Sequence, residues 1–346
     1  MRASFSSIDA LFVIAPQSLL LDIAGPAEAF RLANLHRAAR GLPPKFRLRF
    51  AGTAATTVTS VGLPLARLEP LPKTLQAPTW VVVVGQPTAD AHRNPATTRD
   101  VALALSRLMR EHLHAQHSPH RLVTICSGTV LAARAGLLDG RQCTTHHDLI
   151  RLLRDLAPRA RVVENRVFLV DGPLASSAGV TAGIDLALHL IADECGDSLA
   201  ASVAEDMVVY LRRSALDPEL SPFLAHRRHT HAAIHRVQDA LGAAPAREWN
   251  MSSLAALAHV TERHLLRLFM QHAGVSPLHY LAGIRLERAR QALEHGSSVT
   301  AAAESAGFSS GLQLRRAWQR RWGGSPRDSM LNAAAPSRRA WDRLAG

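Results

Sequence analysis

The sequence predicts two domains of different fold class: a mixed α/β domain in the first two thirds of the chain and an all-α domain in the last third. Three observations lead to this prediction. Strand-like and helix-like segments alternate up to about residue 197, no strand pattern follows residue 232, and the positive charge is concentrated in the C-terminal third. Alternating strands and helices are typical of a mostly parallel sheet that is covered by helices on both faces.

Each element of the α/β domain follows from its own pattern. The apolar segment WVVVVGQ (80–86) is typical of a strand inside a parallel sheet. Pro26 suits the first turn of a helix, and Gly196 suits the position just after a helix end. In chain order we predict a strand at 10–16, a helix at 24–39, strands at 46–52 and 80–86, a helix at 99–116, a strand at 121–128, a helix at 146–158, a hairpin or edge strands within 166–179, and helices at 181–196 and 198–212.

The domain boundaries follow from changes in composition along the chain. Proline, serine and charged residues mix in DPELSPFLAHRRHTH (217–231), which is typical of a linker. We therefore expect an α/β domain over 8–197, a helix and linker over 198–231, a helical domain over 232–330 and a tail over 331–346.

Composition argues against a membrane or secreted protein. Of the 346 residues 47% are apolar, yet no run approaches the roughly 20 apolar residues of a membrane helix. The segment ALFVIAP (10–16) has the look of a signal-peptide core, but only one basic residue precedes it. We interpret it as a buried strand and expect a cytoplasmic protein.

Cysteine and histidine give no metal or disulfide signature. Cys126, Cys143 and Cys195 are odd in number and widely spaced, which argues against a disulfide framework. The histidines of HRRHTH (226–231) have no matching cysteine or carboxylate cluster, so we interpret this segment as a polar linker. We expect no metal and no cofactor.

The distribution of charge points to nucleic acid. Residues 226–346 contain 17 Arg and no Lys against 8 acidic residues, a net charge of +9, whereas residues 1–225 have a net charge of +3. A basic excess confined to one domain is expected of a nucleic-acid-binding domain. An arginine-rich surface from a GC-rich genome is the alternative, but it does not explain why the excess lies at one end.

The C-terminal third contains an internal repeat. RLFMQHAGVSP (267–277) and RAWQRRWGGSP (316–326) align at an offset of 49 residues, with arginine, an aromatic residue, glycine and Ser-Pro in common. A short helix, a turn and a longer helix are predicted in each copy, which is helix-turn-helix geometry written twice. The predicted helices are 252–260 and 261–274 in the first copy, 299–308 and 309–324 in the second, and a connecting helix at about 277–294, with N-caps at Thr261 and at Ser309 or Ser310.

The second helix of each copy has an apolar face and a basic or amide face. Arg and Gln reach guanine and adenine edges in the major groove, and two such helices could enter successive grooves roughly 34 Å apart. We therefore predict that double-stranded DNA is a partner; a helical bundle with a basic surface is the alternative. The inward set is Leu265, Leu268, Phe269, Leu314, Ala317 and Trp318, and the predicted DNA-binding set is Arg263, His264, Arg267, Gln313, Arg315, Arg316 and Arg320.

Residues 232–330 resemble the AraC/XylS family of bacterial transcription regulators. The motifs that carry the resemblance are "LA…S..HL.R.F....G.SP", from Leu254 to Pro277, and "GF.S……R.W....G.SP", from Gly307 to Pro326. The first turn of the family usually contains glycine where this chain has His259. The resemblance implies base-facing positions at Arg263, Leu266, Arg267, Leu312, Gln313 and Arg316, of which the two leucines would contact thymine methyl groups or no base at all.

Cys126 lies at a predicted corner between a strand and a helix, the place where many enzymes expose a nucleophile. TICSGTVLAARAGLLDGRQCTTHH and SSAGVTAGIDLALHLI resemble the DJ-1/PfpI (class I glutamine amidotransferase-like) superfamily over about residues 8–196. This resemblance implies a flavodoxin-like fold. Together with the AraC-type segment it is similar to the GlxA-like subgroup of regulators.

The superfamily resemblance also implies a site around Cys126. The acidic residue beside the cysteine would be Asp22, with Glu28 further along the helix, and backbone N–H groups near Gly85 and after Cys126 would form an oxyanion-type pocket. Hydrolytic members have histidine directly after the cysteine, where this chain has Ser127. His146 and His147 lie twenty residues further on, and the trio Asp22, Cys126 and Ser127 resembles that of isonitrile hydratases.

Three hypotheses remain for the first domain. The first, which we favour, is a sensor that binds an unidentified small metabolite, forms a homodimer and changes the DNA-binding state. The second is an active lyase or hydrolase and the third is a redox switch at Cys126. Retention of the cysteine only for packing at a tight turn is the structural alternative. No catalytic residue is assigned, with Cys126 and Asp22 as vestigial candidates. The predicted ligand contacts are Asp22, Gly85, Cys126, Ser127, His146 and Thr181.

Overall fold

The computed structural model describes residues 7–93, 96–115, 118–209, 226–227, 229–294 and 296–326. The chain divides into two compact units, residues 1–219 and 220–346, which are described separately. The predicted tail, most of the predicted linker and the last residues of the helix predicted at 198–212 lie outside the described residues.

The strands of the first unit are β1 (Ile8–Ile14), β2 (Phe46–Gly52), β3 (Thr56–Val58), β4 (Pro64–Ala66), β5 (Glu69–Pro70), β6 (Thr79–Val83), β7 (Arg121–Ile125), β8 (Gln142–Cys143), β9 (Arg161–Val162), β10 (Phe168–Asp171) and β11 (Leu174–Ser177). Seven of them form one sheet in the order β10-β11-β7-β6-β1-β2-β5. Neighbouring strands in this sheet are parallel except β10 and β11, which form an antiparallel hairpin. This sheet confirms the predicted α/β class.

Helices cover both faces of the sheet and bury two apolar cores. They are α1 (Leu20–Ala39), α2 (Thr88–Arg93), α3 (Ala96–His114), α4 (Gly128–Arg134), α5 (Ile150–Leu156), α6 (Thr181–Cys195) and α7 (Asp197–Asp206). One core contains Phe30, Leu186 and Val203 from α1, α6 and α7. The other contains Leu105 and Leu131 from α3 and α4, among others.

The strand order creates a crevice at the carboxyl ends of β1 and β6. β1 pairs in parallel with β2 on one side and with β6 on the other. The chain leaves β1 through α1 towards β2, whereas it leaves β6 through α3 towards β7, so the two connections diverge. Ligands of open α/β sheets bind at such a switch point, because diverging loops leave space between them.

The observed elements differ from the predictions in several places. α1 begins at Leu20, so Pro26 lies inside the helix and not in its first turn. The Leu19 N–H donates to the Gly85 carbonyl at 2.8 Å, which fixes the helix start beside β6. The segment 146–158 divides into a 3-10 turn at His147–Leu149 and α5. The antiparallel hairpin β3–β4 coincides with no predicted strand.

The second unit is helical in its described part and has the predicted duplicated plan. Its helices are α8 (Ala232–Ala243), α9 (Met251–Ala258), α10 (Glu262–Ala273), α11 (Pro277–Glu294), α12 (Val299–Ala306) and α13 (Gly311–Trp322). The helix-turn-helix pairs are α9–α10 and α12–α13. α11 joins them: Tyr280 and Ile284 pack in the core of the first pair, and Ala289 and Leu293 in that of the second.

The turns of the two pairs differ at one position. His259 ends α9 with φ 55° and Gly307 ends α12 with φ 85°, both in the left-handed region. A Cβ at position 307 would lie 2.5 Å from the Ala246 Cα, so the second turn requires glycine for space as well as for conformation. His259 is exposed, and the turn accommodates it at the cost of a strained backbone.

The described part of the predicted linker belongs to the second unit and packs on its helices. The His235 Nε2 lies 2.6 Å from the His229 carbonyl, and the ring centroids of these two residues are 4.6 Å apart. The His231 ring lies 4.9 Å from that of His272 on α10. The histidines of this segment therefore pack on α8 and α10. No helix within the described residues is both long and apolar enough to cross a membrane.

Candidate functional site

The carboxylate of Asp22 joins three segments at the switch-point crevice. It lies in the first turn of α1 and is fully buried. Its Oδ2 accepts a hydrogen bond from the Gly85 N–H at 3.1 Å, and its Oδ1 accepts one from the Val180 N–H at 2.9 Å. Glu28, on the same helix, is exposed and pairs with Arg31 at 2.6 Å. Asp22 is therefore the acidic residue that lies in the crevice.

The buried carboxyl group is unusually easy to protonate. Burial raises the pKa of Asp22 from 3.8 to about 6, while the hydrogen bonds from the Val180 and Gly85 N–H groups favour the carboxylate and oppose the rise. Asp22 can therefore change its charge near neutral pH, as a proton-transferring or ligand-sensing group must.

Cys126 lies directly after β7 in a strained backbone conformation. Its φ is 55°, which is uncommon for a residue other than glycine, and its side chain is buried. A Cβ at Gly179 would lie 2.4 Å from the Cys126 Cβ, and a Cβ at Gly85 would lie 2.8 Å from the same atom. Two glycines thus allow the loops after β6 and β11 to approach the cysteine. This is the strand-to-helix corner that the sequence predicts.

The Ser127 hydroxyl is engaged with the backbone of Gln86. It accepts from the Gln86 N–H at 2.6 Å and donates to the Gln86 carbonyl at 2.7 Å. The Gly85 N–H, predicted as an oxyanion donor, instead donates to Asp22. The N–H groups of residues 85 and 86 are therefore both occupied, and the loop after β6 does not provide the predicted oxyanion pocket. Sequence reasoning assigned no role to Gln86 and missed these two bonds.

His146 directly follows a residue that is hydrogen-bonded to Cys126, but its own side chain pairs with Asp148. The preceding residue, Thr145, donates from its hydroxyl to the Cys126 carbonyl at 2.8 Å. His146 Nδ1 lies 3.6 Å from the Asp148 carboxylate, and His147 Nε2 lies 3.4 Å from it. The ligand-type atoms of these three residues are within 4.8 Å of one another, so they form the candidate metal cluster found among the described residues. The prediction that the protein binds no metal stays a prediction.

A cavity of about 370 Å³ opens beside Asp22. Of the six predicted ligand contacts, Asp22 is the one that lines it. Thr181 is exposed at the start of α6, one residue after the Val180 that bonds to Asp22. Small-molecule sites are typically 300–1,000 Å³, largely apolar, and contain few polar groups. The residues that line the cavity are Leu19, Leu20, Leu21, Asp22, Ala24, Val61 and Val180.

The predicted DNA-binding residues all lie on α10 or α13 of the second unit. They are exposed except His264, which is half-buried, whereas Leu265 and Leu314 on the opposite faces are fully buried. Two leucines share the exposed faces: Leu266 is 43% exposed and Leu312 is 54% exposed. Thr261 and Ser310 cap the two helices, as predicted, by accepting from the N–H three residues on.

Two of these polar side chains are held by neighbours. An Arg267 Nη2 lies 3.2 Å from the His264 Nδ1, so a neutral His264 can accept a hydrogen bond from it and orient the guanidinium. Gln313 Oε1 accepts from the N–H and the hydroxyl of Ser309. The sequence shows the first pair only as residues three apart on one helix, and the second only as residues four apart at a predicted helix start.

Comparisons with known proteins match both units. The model of a helix-turn-helix domain matches residues 254–330, and that of the DJ-1/PfpI family matches residues 93–193. The HTH-type transcriptional regulator GlxA of Rhizobium meliloti is 30% identical over 321 residues, which are 91% of this chain and 93% of that protein. This chain therefore belongs to the family of AraC-type transcriptional regulators with an N-terminal DJ-1/PfpI domain.

Other relatives align over shorter segments. The HTH-type transcriptional regulator GbdR of Pseudomonas aeruginosa is 35% identical over 226 residues, and this chain spans about 61% of its length. Isonitrile hydratase of Pseudomonas putida is 37% identical over 97 residues, 27% of this chain and 40% of that enzyme. A crystal structure of an AraC family transcriptional regulator from Pseudomonas putida has a TM-score of 0.43 and 20% identity, and covers 58% of this chain and 99% of its own.

Proposed function

We propose that the protein regulates transcription by binding double-stranded DNA through α10 and α13, and that its first unit binds a small-molecule effector. The observation that carries the proposal is the duplicated helix-turn-helix, in which both second helices bury one face and expose arginines on the other. Recognition helices of this motif lie in the major groove with their N-terminal residues against base edges.

The DNA-binding proposal is tested by removing one arginine from each helix. We expect Arg267→Ala and Arg316→Ala each to weaken binding to the operator by about 1–3 kcal/mol if the side chain is bidentate to a base. The measurement is fluorescence anisotropy on operator and random DNA at several salt concentrations. Arg159→Ala, an exposed position of the first unit, is the matched control. Equal losses on both DNAs, with a smaller salt dependence, would mark the arginines as phosphate contacts.

The effector proposal rests on the crevice at the switch point. The cavity has the volume of a small-molecule site and mostly apolar walls, and the buried Asp22 is among the residues that line it. A thermal-shift screen of amino acids, amines and quaternary ammonium compounds tests it, since a ligand that binds only the folded state raises its stability. A hit should lose its effect when Val180→Trp fills the cavity. A hit that survives this change binds elsewhere.

A second candidate function is lyase or hydrolase chemistry at Cys126. The specific observations in its favour are the partial match to isonitrile hydratase and the convergence of Asp22, Cys126 and Ser127 around Gly85. Cys126→Ser separates the functions. The regulator proposal expects DNA binding and effector response to persist, with no isonitrile turnover by the wild type. Turnover that Cys126→Ser abolishes would establish the enzyme, and loss of a peroxide response alone would establish a redox sensor.

We also propose that the first unit forms a homodimer. Exposed apolar side chains lie at the β3–β4 hairpin and at the crevice: Val61 is 68% exposed, Leu63 is 47%, Leu21 is 45% and Val180 is 40%. Clusters of exposed apolar side chains mark interaction surfaces more often than isolated ones do. Sedimentation equilibrium of the wild type and Val61→Asp measures this: a dimer that the aspartate dissociates supports the proposal, and a monomeric wild type refutes it.

A further inference from the structure

Gln313 lies where a base-reading side chain is expected. It is in the first turn of α13, the second helix of its helix-turn-helix pair, and it is exposed, as are Leu312 and Arg316. Leu314 and Trp318 of the same helix are buried in the core. The N-terminal residues of such a helix contact base edges. What the Gln313 amide presents to the groove is therefore one determinant of any base preference of the second pair.

The amide oxygen of Gln313 is already occupied within the protein. Oε1 accepts from the Ser309 N–H at 2.8 Å and from the Ser309 hydroxyl at 3.1 Å. The backbone N–H of Gln313 in turn donates to the Ser310 hydroxyl at 3.2 Å. Gln313 and the two serines before the helix are therefore bonded to each other in both directions. Turning the oxygen towards DNA would break both of its bonds and leave a backbone N–H at the helix start without its partner.

A glutamine with a bound oxygen reads DNA differently from a free one. A free amide pairs bidentately with adenine: the oxygen accepts from N6 and the nitrogen donates to N7. With Oε1 held by Ser309, the Gln313 side chain offers only the two N–H donors of Nε2. In the major groove, guanine presents two adjacent acceptors, O6 and N7. Adenine presents an acceptor beside a donor, cytosine presents a donor, and thymine presents a single acceptor, O4, beside its methyl group.

We propose that Gln313 selects guanine, and not the adenine that glutamine ordinarily reads. This inference rests on the proposed DNA-binding function. The two hydrogen bonds from Ser309 determine which edge of the Gln313 amide faces the groove. Ser309 thus influences the choice of base without contacting the base itself.

The test begins with selection of binding sites from randomised duplex DNA by the full-length protein. Each position of the selected site is then changed to the other base pairs, and binding is measured for the wild type and Gln313→Ala. We expect one position where the wild type prefers guanine over adenine by about fivefold or more and Gln313→Ala shows no preference. Inosine at that position should bind as guanine does, because it keeps O6 and N7, and 7-deazaguanine should bind more weakly.

Two further variants separate base reading from helix capping. Gln313→Glu keeps an oxygen for the Ser309 N–H but has no donor, so it should keep the thermal stability of the wild type and lose the guanine preference. Ser309→Ala removes one of the two bonds to Oε1, so discrimination against adenine should weaken.

The outcomes distinguish this inference from the function on which it rests. An adenine preference of the wild type at the Gln313 position, or a Gln313→Ala variant with unchanged preference at every position, overturns the inference alone. If selection enriches no sequence, the proposed DNA-binding function fails and the inference fails with it.

Discussion

The buried Asp22 carboxyl should make the stability of the first unit depend on pH. Its pKa is raised from 3.8 to about 6 by burial, so the folded state holds the proton more tightly than the unfolded state does. The stabilising contribution is therefore complete below about pH 4 and is lost as the pH rises through 6. The difference between the two pKa values corresponds to about 3 kcal/mol of unfolding free energy, because each pKa unit is worth about 1.4 kcal/mol.

The substitution that isolates this charge is Asp22→Asn. Asparagine keeps one acceptor oxygen but turns an N–H₂ group towards one of the two backbone donors, which costs about 1–3 kcal/mol at every pH. Only the part of the free-energy difference that varies with pH reports the ionisation of the Asp22 carboxyl group. Between pH 4 and 7 we expect the unfolding free energy of the wild type to fall by about 2.4 kcal/mol relative to that of Asp22→Asn.

The measurement must follow the first unit alone. Urea unfolding read by hydrogen exchange of peptides from β1 and β6 does so, since these strands are central in its sheet. Glu28→Gln, which removes a negative charge from the exposed face of α1, is the matched control. A difference between wild type and Asp22→Asn that stays constant from pH 4 to 7 would refute the reasoning.

Three other predictions follow from single positions. Gly85→Ala should destabilise the first unit by about 1–3 kcal/mol at an unchanged urea m-value, because the new Cβ would lie 2.6 Å from the Asp22 Oδ2; an unchanged midpoint would contradict this. His259→Gly should raise the melting temperature of the second unit by relieving about 1 kcal/mol of backbone strain, and His259→Ala should not. Burial lowers the pKa of His229, and so do the nearby groups His235, His272, His231 and Arg227. The unfolding free energy of the second unit should therefore fall as the pH drops below about 6.5, and this loss should be smaller in His229→Gln.

The sequence predicted features whose causes are local and missed those that depend on distant segments. The recognition helices were predictable because buried apolar residues recur four apart within each helix, and because Thr261 and Ser310 are typical caps. The buried residues are Leu265 and Phe269 in the first helix and Leu314 and Trp318 in the second. The partner of Asp22 at position 180 was not predictable, because 158 residues separate the two and only the sheet order brings them together. Family likeness located Asp22 and Cys126, but not the bonds of residues 85 and 86 that occupy the expected oxyanion donors.

The hairpin β3–β4 illustrates a second limit. Its strands have three residues each, too few to show an alternating pattern, and its Val58 and Val61 are exposed where a strand pattern would predict polar side chains. The structure attaches the hairpin to the crevice: the Gln17 N–H donates to the Val58 carbonyl at 2.9 Å, and the Ser60 N–H donates to the Ser18 carbonyl at 3.0 Å. An element without a sequence signature thus forms one wall of the candidate ligand site.

The raised pKa of Asp22 also constrains which effectors suit the crevice. Above pH 6 the ionised carboxylate destabilises the folded unit, so a cationic ligand beside it recovers part of that free energy and favours the charged form. By linkage, the affinity of such a ligand should increase as the pH rises through 6, whereas the affinity of a ligand that accepts a proton from the neutral carboxyl in a hydrogen bond should decrease. The pH dependence of binding, and its loss in Asp22→Asn, therefore shows whether the effector favours the ionised or the neutral form of this carboxyl group.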